Sequence, residues 1–449
     1  MMAIGRLKVQ VFRGNSLTPV DNARVTILPS NGQLTREAPK VLRSNSSGIT
    51  GELELTAPPL EYSQIPTDNL PYSLYDIRIE ADGFVPQFIE GCQVFPDVVA
   101  LQQSNLIPQA TRQVQAEQTI IIEPNTLVGN FLPKIPEDPN KPDPPPPTGL
   151  VVLPEPVVPE FIVVHAGRPD DNSAPNYTVR YRDYIKNVAS CEIFSTWPQN
   201  TIRANAMCII SFTLNRIYTE WYRGKGKDFD ITSSTAFDHA FSYGRNIYDT
   251  ISVIVDELFA TYMKRPDRKQ PLLAQYCDGV QVQCPGWLTQ WGSKFLGDQG
   301  RTPYEILTNF YGSDLSLTRA KEVEGIPKSY PGTPLRQGSR GTDVRTIQTY
   351  LNRIAQNYPA IPKVRVDGVF GAETTRSVTV FQQIFNLPQN GVVDYATWYS
   401  ISNIYVAVTQ IAELRGIEVS EFKNGIFVPP AYGIQTKNFI PTAMYPEEC

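Results

Sequence analysis

The residue whose type and position best suit chemistry is Glu192, a carboxyl group on the apolar stripe of a predicted helix. Ile185, Val188 and Ala189 occupy positions i, i+3 and i+4 of one helical face, and Glu192 continues that face at i+7. A carboxyl group that is removed from water loses hydration mainly in its charged form, so its pKa rises and it can hold a proton near neutral pH. The pattern therefore indicates a general acid.

A structural role for Glu192 fits the same pattern. A small rotation of the helix would bring the carboxylate to the surface, where Arg203 or Lys186 would pair with it. Ion-paired carboxylates on helices are far commoner than catalytic ones. The helical pattern alone leaves both interpretations open.

Two helices must position this carboxyl group, and the sequence marks a break between them. Thr196 and Gln199 form a capping-box pattern and Pro198 suits a first helical turn, so the second helix is predicted to begin there. Gly224 and Gly226 are predicted to end it. Its buried face is predicted from residues spaced three and four apart, namely Ile202, Ala206, Ile209, Thr213, Ile217 and Trp221.

The residues that begin at Tyr184 follow a family pattern. The matching positions are Tyr184, Ile185, Lys186, Val188, Glu192, Trp197, Pro198, Ala204 and Ala206. This order resembles the catalytic region of the stage II sporulation protein D family, and the blocks 290–300 and 304–312 resemble the end of the same domain. The resemblance implies a peptidoglycan lytic transglycosylase domain over residues 160–328, with Glu192 as its catalytic acid. The side chains expected to bind substrate there are Tyr184, Lys186, His239, Tyr276 and Gln290.

The small number of histidines limits which metal sites the chain can form. The chain has six cysteines and two histidines, His165 and His239, which leaves almost no material for a histidine-based metal site or triad. Some members of the sporulation family hold zinc with paired cysteines and histidines, but no histidine lies beside Cys277 and Cys284. These two thiols are compatible with a disulfide, with free cysteines or with an incomplete zinc site. We predict no metal and no cofactor. His239 fits either a cleft residue or a hydrogen-bonded structural histidine.

Length and charge exclude several classes of protein. A chain of 449 residues is expected to form several domains, and its formal net charge of −5 argues against nucleic acid or an anionic membrane as the main partner. No apolar run approaches the ~20 residues that a membrane span needs. The N-terminus lacks the apolar core of a secretory signal, so synthesis in a cytoplasm is expected.

The N-terminal part of the chain shows the alternation of half-buried strands. In residues 1–105 apolar residues alternate with polar ones between glycine-containing turns, which predicts a β-sandwich. The blocks around residues 25, 50 and 77 resemble the transthyretin-like carboxypeptidase regulatory domain, and we expect a structural prodomain. Residues 106–159 are rich in proline and are predicted to be a spacer or a strap over a neighbouring surface, open to proteases.

A third unit is predicted over residues 333–410. Two helical stripes and two turns that contain Asp-Gly or Asn-Gly resemble the three-helix peptidoglycan-binding domain. The resemblance places its ligand groove near the glycine loop, which makes Asp367, Phe370, Thr374 and Gln382 candidate binding residues, although each fits a structural role as well. Residues 411–449 form a tail with no assignable element.

Together these regions predict a multidomain α+β chain with an N-terminal β-sandwich, a central α+β catalytic domain and a C-terminal three-helix domain. Their order, together with the stretches at 157–165, 212–223 and 357–363, resembles the SleC-type spore cortex-lytic enzymes of clostridia. That resemblance implies a zymogen that a subtilisin-like germination protease activates, with spore cortex peptidoglycan as substrate and the cortex or the coat–cortex boundary as location after synthesis in the mother cell. The alternatives are a non-catalytic wall-binding protein of the spore and, less favoured, a hydrolase or an amidase.

Overall fold

The structure is a computed structural model of the whole chain. The ranges that it describes are 2–30, 38–109, 116–137, 155–284 and 286–414. The proline run from Pro144 to Pro147 and residues 415–449 of the predicted tail lie outside these ranges. Residues 411–414, which the prediction assigned to the tail, belong to a helix instead. No helix in the described ranges is both long and apolar enough to span a bilayer.

The N-terminal region is built from strands. Its strands are β1 (Ala3–Arg13), β2 (Thr18–Pro19), β3 (Arg24–Pro29), β4 (Lys40–Arg43), β5 (Leu53–Ala57), β6 (Ser73–Glu80), β7 (Gln87–Val94), β8 (Val99–Leu106) and β9 (Gln118–Ile121). One sheet has the order β4-β3-β6-β7-β9, and in the other β8 and β5 flank β1. Alternate residues of β1, such as Leu7, Val9 and Val11, are fully buried and join the same apolar cluster as Val25 and Ile77 of the other sheet. The predicted strand-rich region is confirmed, and its description as a sandwich stays a prediction.

The central region mixes short strands with helices. Its elements are β10 (Val157–Val158), β11 (Phe161–His165), β12 (Asn176–Arg180), α1 (Tyr181–Glu192), α2 (Gln199–Tyr218), β13 (Ile231–Thr232), β14 (Ile247–Tyr248), α3 (Asp249–Leu258), β15 (Thr261–Lys264), β16 (Tyr276–Cys277), β17 (Leu288–Thr289), α4 (Gln290–Asp298), α5 (Pro303–Tyr311), β18 (Ser316–Arg319) and β19 (Glu322–Val323). Helix α2 lies at its centre, where α1, α3, α4 and α5 pack around it. Because α2 is buried on most sides, it provides a fixed surface against which α1 packs.

The N-terminal region is joined to the central region by backbone pairing. Strand β14 pairs antiparallel with β8, so a central strand extends an N-terminal sheet. The buried Asn125 amide donates hydrogen bonds of 3.2 Å to the carbonyls of Ser190 and Ile193, at the end of α1. The N-terminal region therefore contacts the helix that carries Glu192.

Two local predictions about α2 are wrong. The helix does begin at Gln199, but no side chain caps it, and the hydroxyl of Thr196 donates to Ser63 of the N-terminal region at 2.7 Å instead. The helix ends at Tyr218, before the glycines, and a short 3-10 turn precedes Gly226, which adopts a φ of 75°. Thr196 thus makes a tertiary contact in place of the local cap, and a sequence pattern does not reveal such a contact.

The C-terminal region contains the helices α6 (Thr342–Ile354), α7 (Ala372–Ile384) and α8 (Tyr395–Leu414). Their apolar faces pack together around Leu351, Phe381 and Trp398, each of which is fully buried. The Trp398 indole also donates to the carbonyl of Lys328 at 3.0 Å. Together with the other regions, these helices confirm a multidomain chain that mixes helices and strands.

Candidate active site

Glu192 is the last residue of α1, and its side chain is only 4% exposed. The apolar stripe that predicted its burial is buried as well, since Ile185, Val188 and Ala189 are fully enclosed. The carboxyl group also lies at the helix C-terminus, where the helix dipole disfavours negative charge. Helix α1 therefore holds this carboxyl inside the protein and not at a solvated ion pair.

Three hydrogen bonds fix the position of Glu192. The amide of Ala240 donates to Oε1 at 2.7 Å, the hydroxyl of Tyr276 donates to Oε2, and the Gln290 side chain donates to the main-chain carbonyl at 2.8 Å. Burial raises the pKa of Glu192 to about 7, although Lys134 and the bonds from Tyr276 and Ala240 favour the charged form. At this pKa both protonation states are populated near neutrality, as an acid that must also accept a proton requires.

This pKa predicts a pH-dependent gain in stability for Glu192→Gln. The folded state holds the proton more tightly than the unfolded chain, so the parent protein loses stability as the pH rises from 4.5 to about 7. Glutamine removes this loss, on the order of 3 kcal/mol, so the melting temperature of the variant should exceed that of the parent at pH 7.5 and equal it at pH 5. The control Glu257→Gln removes a partly exposed carboxylate that pairs with Arg203 and should show no such gain. Equal melting temperatures at both pH values would contradict the raised pKa.

Lys134 lies over the same site and comes from the proline-rich segment. Its ammonium donates to the carbonyl of Asp238 and lies 4.5 Å from the ring centre of Phe212 and 4.9 Å from that of Tyr276. Burial lowers the pKa of Lys134 to about 8, against the attraction of Glu192. The ammonium therefore lies beside the tyrosine that donates to the candidate acid, near enough to attract the Glu192 carboxylate.

Residues 131–137, which we call the strap, are held in a groove by hydrogen bonds on both sides. On one side the Ile135 amide donates to the carbonyl of Ala236 at 2.7 Å, and the Thr235 hydroxyl donates to the carbonyl of Leu132 at 2.8 Å. On the other side the Gln275 amide donates to the Ile135 carbonyl and accepts from the backbone of Glu137, both at 3.1 Å. Within the predicted linker 106–159, residues 131–137 are thus a strap over a neighbouring surface, one of the two predicted alternatives. For residues 118–121 the prediction of a spacer or strap is wrong, because they form strand β9 and pair with β7.

A buried charge network lies at the end of the strap. Arg216 on α2 is 1% exposed, and its Nε donates to Asp238 at 2.7 Å. Its two terminal nitrogens donate to the two carboxylate oxygens of Glu137, at 3.1 and 2.5 Å. Asp238 also accepts from the hydroxyl of Tyr222 at 2.6 Å and from the amide and hydroxyl of Thr232 at 2.9 and 2.7 Å. The Asp238 carboxylate accepts all of these hydrogen bonds from the central region, whereas the terminal nitrogens of Arg216 depend on Glu137 of the strap for a carboxylate partner.

Several predicted substrate residues surround Glu192. Tyr184 contacts His239 through its hydroxyl and Nδ1, 3.1 Å apart, and the ring of His239 stacks on Tyr276 with centres 5.9 Å apart. Burial, with Lys134 and Arg216 nearby, holds the pKa of His239 well below 6.5, so its ring stays neutral. These side chains are buried next to Glu192 and support its position. Their contact with substrate stays a prediction.

Lys186 is not brought to Glu192. Its ammonium pairs with Asp256 at 2.8 Å, on the opposite side of α1, beside a cavity of about 90 Å³ between the N-terminal, central and C-terminal regions. The surface ion pair considered for Glu192 is likewise not formed, because Arg203 pairs with Glu257. The structure thus separates Lys186 from the other central candidates.

The sequence did not identify Lys134, Arg216 and Asp238. Arg216 follows Thr213 by three positions on the predicted apolar face of α2, so the argument that singled out Glu192 also applies to it. Lys134 carries no local signal, because its importance depends on where the linker lies.

Cys277 and Cys284 form a disulfide with a Cα–Cα distance of 6.3 Å. Among the three alternatives for this pair, the structure therefore has the disulfide. Within the described ranges, no group of three or more histidine, cysteine or acidic side chains is placed to hold a metal ion. The bridge closes the loop directly after Tyr276 and so restrains a residue that contacts Glu192.

In the C-terminal region, the candidate Gln382 is fully buried and hydrogen-bonded within the fold. Its side chain donates to Asn390 at 2.9 Å, to the Val392 carbonyl at 2.9 Å and to Thr397 at 3.2 Å, and it accepts from Gly391 at 2.9 Å. This arrangement holds the Asn-Gly turn and argues for a structural role.

Gln348 repeats this arrangement at the Asp-Gly turn, since it donates to Asp367 at 3.1 Å and accepts from Gly368 at 2.8 Å. The two glutamines account for the near-repeat in the sequence. Phe370 and Thr374 are 1% and 2% exposed, so among the four candidates of this region Asp367 is the most accessible.

Gln382→Ala is therefore expected to destabilise the C-terminal region and not to remove a ligand contact. The change leaves several buried polar groups without a partner, which should cost about 2–4 kcal/mol in denaturant unfolding. Gln383→Ala, at the exposed neighbouring position, is the matched control. A Gln382→Ala protein of parent stability that no longer binds peptidoglycan sacculi would instead show a direct ligand contact.

Comparison with known families identifies this region. Residues 340–401 match the family model described as "Putative peptidoglycan binding domain". The chain contains a peptidoglycan-binding domain. This domain confirms the sequence-based prediction for the C-terminal unit and supports association with peptidoglycan and the cell wall. No curated protein sequence matches the chain.

Some solved structures have local similarity to the chain. A point mutant of catechol 1,2-dioxygenase from Acinetobacter radioresistens is 11% identical, over 26% of this chain and 58% of that chain, with a TM-score of 0.17. A 3-chlorocatechol 1,2-dioxygenase from Rhodococcus opacus 1CP is 8% identical, over 27% of this chain and 60% of that chain, with a TM-score of 0.15. The match spans less than two thirds of either dioxygenase, and similarity at these TM-scores carries no argument.

Proposed function

We propose that the central region is a peptidoglycan lytic transglycosylase in which Glu192 is the general acid. The observation that carries the proposal is the buried carboxyl group of Glu192, whose pKa of about 7 leaves it able to give and to take a proton. The peptidoglycan-binding domain at residues 340–401 supports the substrate class, because it would hold the polymer near the central groove.

In this proposal Glu192 protonates the glycosidic oxygen between N-acetylmuramic acid and N-acetylglucosamine. As the bond from C1 breaks, an oxocarbenium-like centre forms at C1 of the muramic residue. The C6 hydroxyl of that residue then attacks C1 and gives its proton to the Glu192 carboxylate, which restores the acid. The nucleophile belongs to the sugar, so the second enzyme carboxylate that most glycosidases use is not needed.

We further propose that the chain is a zymogen of the spore that acts on cortex peptidoglycan during germination. The strap supports this, because it covers the residues around Glu192 and places the Lys134 ammonium over the ring of Tyr276, whose hydroxyl donates to the acid. A subtilisin-like germination protease would release the strap by cleaving the prolinated linker. The groove already holds an extended polypeptide by hydrogen bonds on both sides, and in this proposal a glycan strand takes the place of that polypeptide after cleavage.

A non-catalytic wall-binding protein of the spore is the second candidate function. It is favoured by the closed groove, since Glu192 is 4% exposed with the strap in place. To separate the two, purified cortex is incubated with the strap-cleaved protein, and both pull-down and soluble products are measured. The transglycosylase releases muropeptides, whereas the binding protein sediments with the cortex and releases none. A hydrolase or an amidase would release products without an anhydro end.

A further inference from the structure

We propose that Arg216 is an anion subsite of the substrate groove and that it binds a carboxylate of the peptide carried by a muramic residue. This inference rests on the proposed function, because it assumes that the groove filled by the strap accepts a glycan strand. In the closed structure the carboxylate of Glu137 occupies the subsite.

The geometry around Arg216 is that of a carboxylate receptor. Its two terminal nitrogens face the two oxygens of Glu137, which is the paired arrangement that a guanidinium offers to carboxylates. Its Nε donates to Asp238, which fixes the orientation of the guanidinium so that its two terminal nitrogens face Glu137 of the strap. The rings of Phe212 and Trp221 lie 4.8 and 4.7 Å from the guanidinium carbon and restrict its movement.

Release of the strap would leave this fork without its partner. Arg216 is 1% exposed and would keep only Asp238 and the Phe237 carbonyl as acceptors. A buried cation that loses a carboxylate is destabilised unless another anion replaces it. The open groove therefore favours ligands that supply a carboxylate at this position.

The distance from Glu192 identifies which carboxylate fits. The Lys134 ammonium and the Arg216 guanidinium carbon lie 4.5 and 4.8 Å from the centre of the same Phe212 ring, so the subsite is within about 10 Å of the ammonium beside Glu192. A lactyl group that carries one or two amino acids spans a similar length. We therefore assign the subsite to the peptide carboxylate of a muramic residue near the bond to be cleaved. A muramic lactam, which carries no carboxylate, would leave Arg216 unpaired.

The test measures binding to a full-length Glu192→Gln protein that also carries Lys134→Ala and Ile135→Pro, which loosen the strap, and Glu137→Ala, which removes the partner of Arg216. No turnover occurs in this protein, because the acid is absent. One ligand is a tetrasaccharide of alternating N-acetylglucosamine and N-acetylmuramic acid that bears L-alanyl-D-glutamate, and the other is the same compound with both carboxylates converted to amides. The acid form should bind about 10-fold tighter or more. Adding Arg216→Lys should remove most of that difference and leave affinity for the amide form unchanged. Glu257→Ala in place of Glu137→Ala is the matched control, which should keep the subsite closed and show no preference.

Equal binding of the two ligands, no binding of either, or an equal loss for both with Arg216→Lys would overturn the subsite. The outcome is separate from catalysis, because binding is measured with the acid removed. A clear preference for the acid form, in a protein whose parent never cleaves glycan, would support the subsite while the transglycosylase proposal failed.

Discussion

In a protein whose strap has been loosened, Glu192→Gln is expected to reduce the release of soluble muropeptides from cortex by about 100- to 10,000-fold. This is the range over which a positioned general acid accelerates a reaction. Glutamine keeps the shape of the side chain and can still accept the bond from Ala240, but it has no acidic proton to give to the glycosidic oxygen. The rate is measured from the release of muropeptides at pH 6.5, with Glu257→Gln as a control of the same chemical type on α3.

A Glu192→Gln protein that releases muropeptides at the parent rate would end the assignment of the acid. The melting temperature distinguishes a catalytic loss from misfolding, because the variant is expected to be at least as stable as its parent. Full sedimentation with cortex by both proteins would show that binding through the C-terminal domain is intact.

The second large effect is expected from the strap itself. Lys134→Ala together with Ile135→Pro removes the ammonium in front of Glu192 and the amide that donates to Ala236, while the proline-rich backbone stays extended. Each hydrogen bond lost weakens the closed state by about 1 kcal/mol, and the charged one by more, so the open fraction should rise about 10- to 100-fold. The activity of the full-length chain should rise by the same factor.

Leu132→Ala is the control for this experiment. Its side chain is exposed, and the contact of its carbonyl with Thr235 does not depend on the side chain, so the strap should remain closed. If the double variant is no more active than the parent while the strap-cleaved protein is active, then the strap is not what blocks the groove.

The sequence predicted the burial of Glu192 because this burial is a local property. Ile185, Val188 and Ala189 define a face of α1, and any residue that continues that face is buried with it. The same periodicity explains the helices of the peptidoglycan-binding domain. It does not explain α2, which was predicted to bury one face and is buried on most sides, while Ile217 and Trp221 of the predicted face are only half-buried. The same argument could have identified Arg216, which follows Thr213 by three positions on the predicted apolar face of α2.

The closed groove was not predictable, because it depends on contacts between residues far apart in sequence. Nothing near Lys134 in the chain indicates that its ammonium lies over Tyr276, or that Glu137 meets Arg216. The capping prediction failed for the same reason, since Thr196 bonds to Ser63 in another region. Local patterns indicate which face of a helix or strand is buried, and tertiary packing decides which residues cover that face.

The central claim is that Glu192 delivers a proton to the glycosidic bond and that the sugar closes on itself. It is tested most directly by mass spectrometry of the muropeptides that the strap-cleaved protein releases from purified cortex. The account predicts products that end in 1,6-anhydromuramic acid, lighter by one water than the hydrolytic product, and their loss in Glu192→Gln. Products that end in a reducing sugar, or anhydro products that persist in Glu192→Gln, would contradict it.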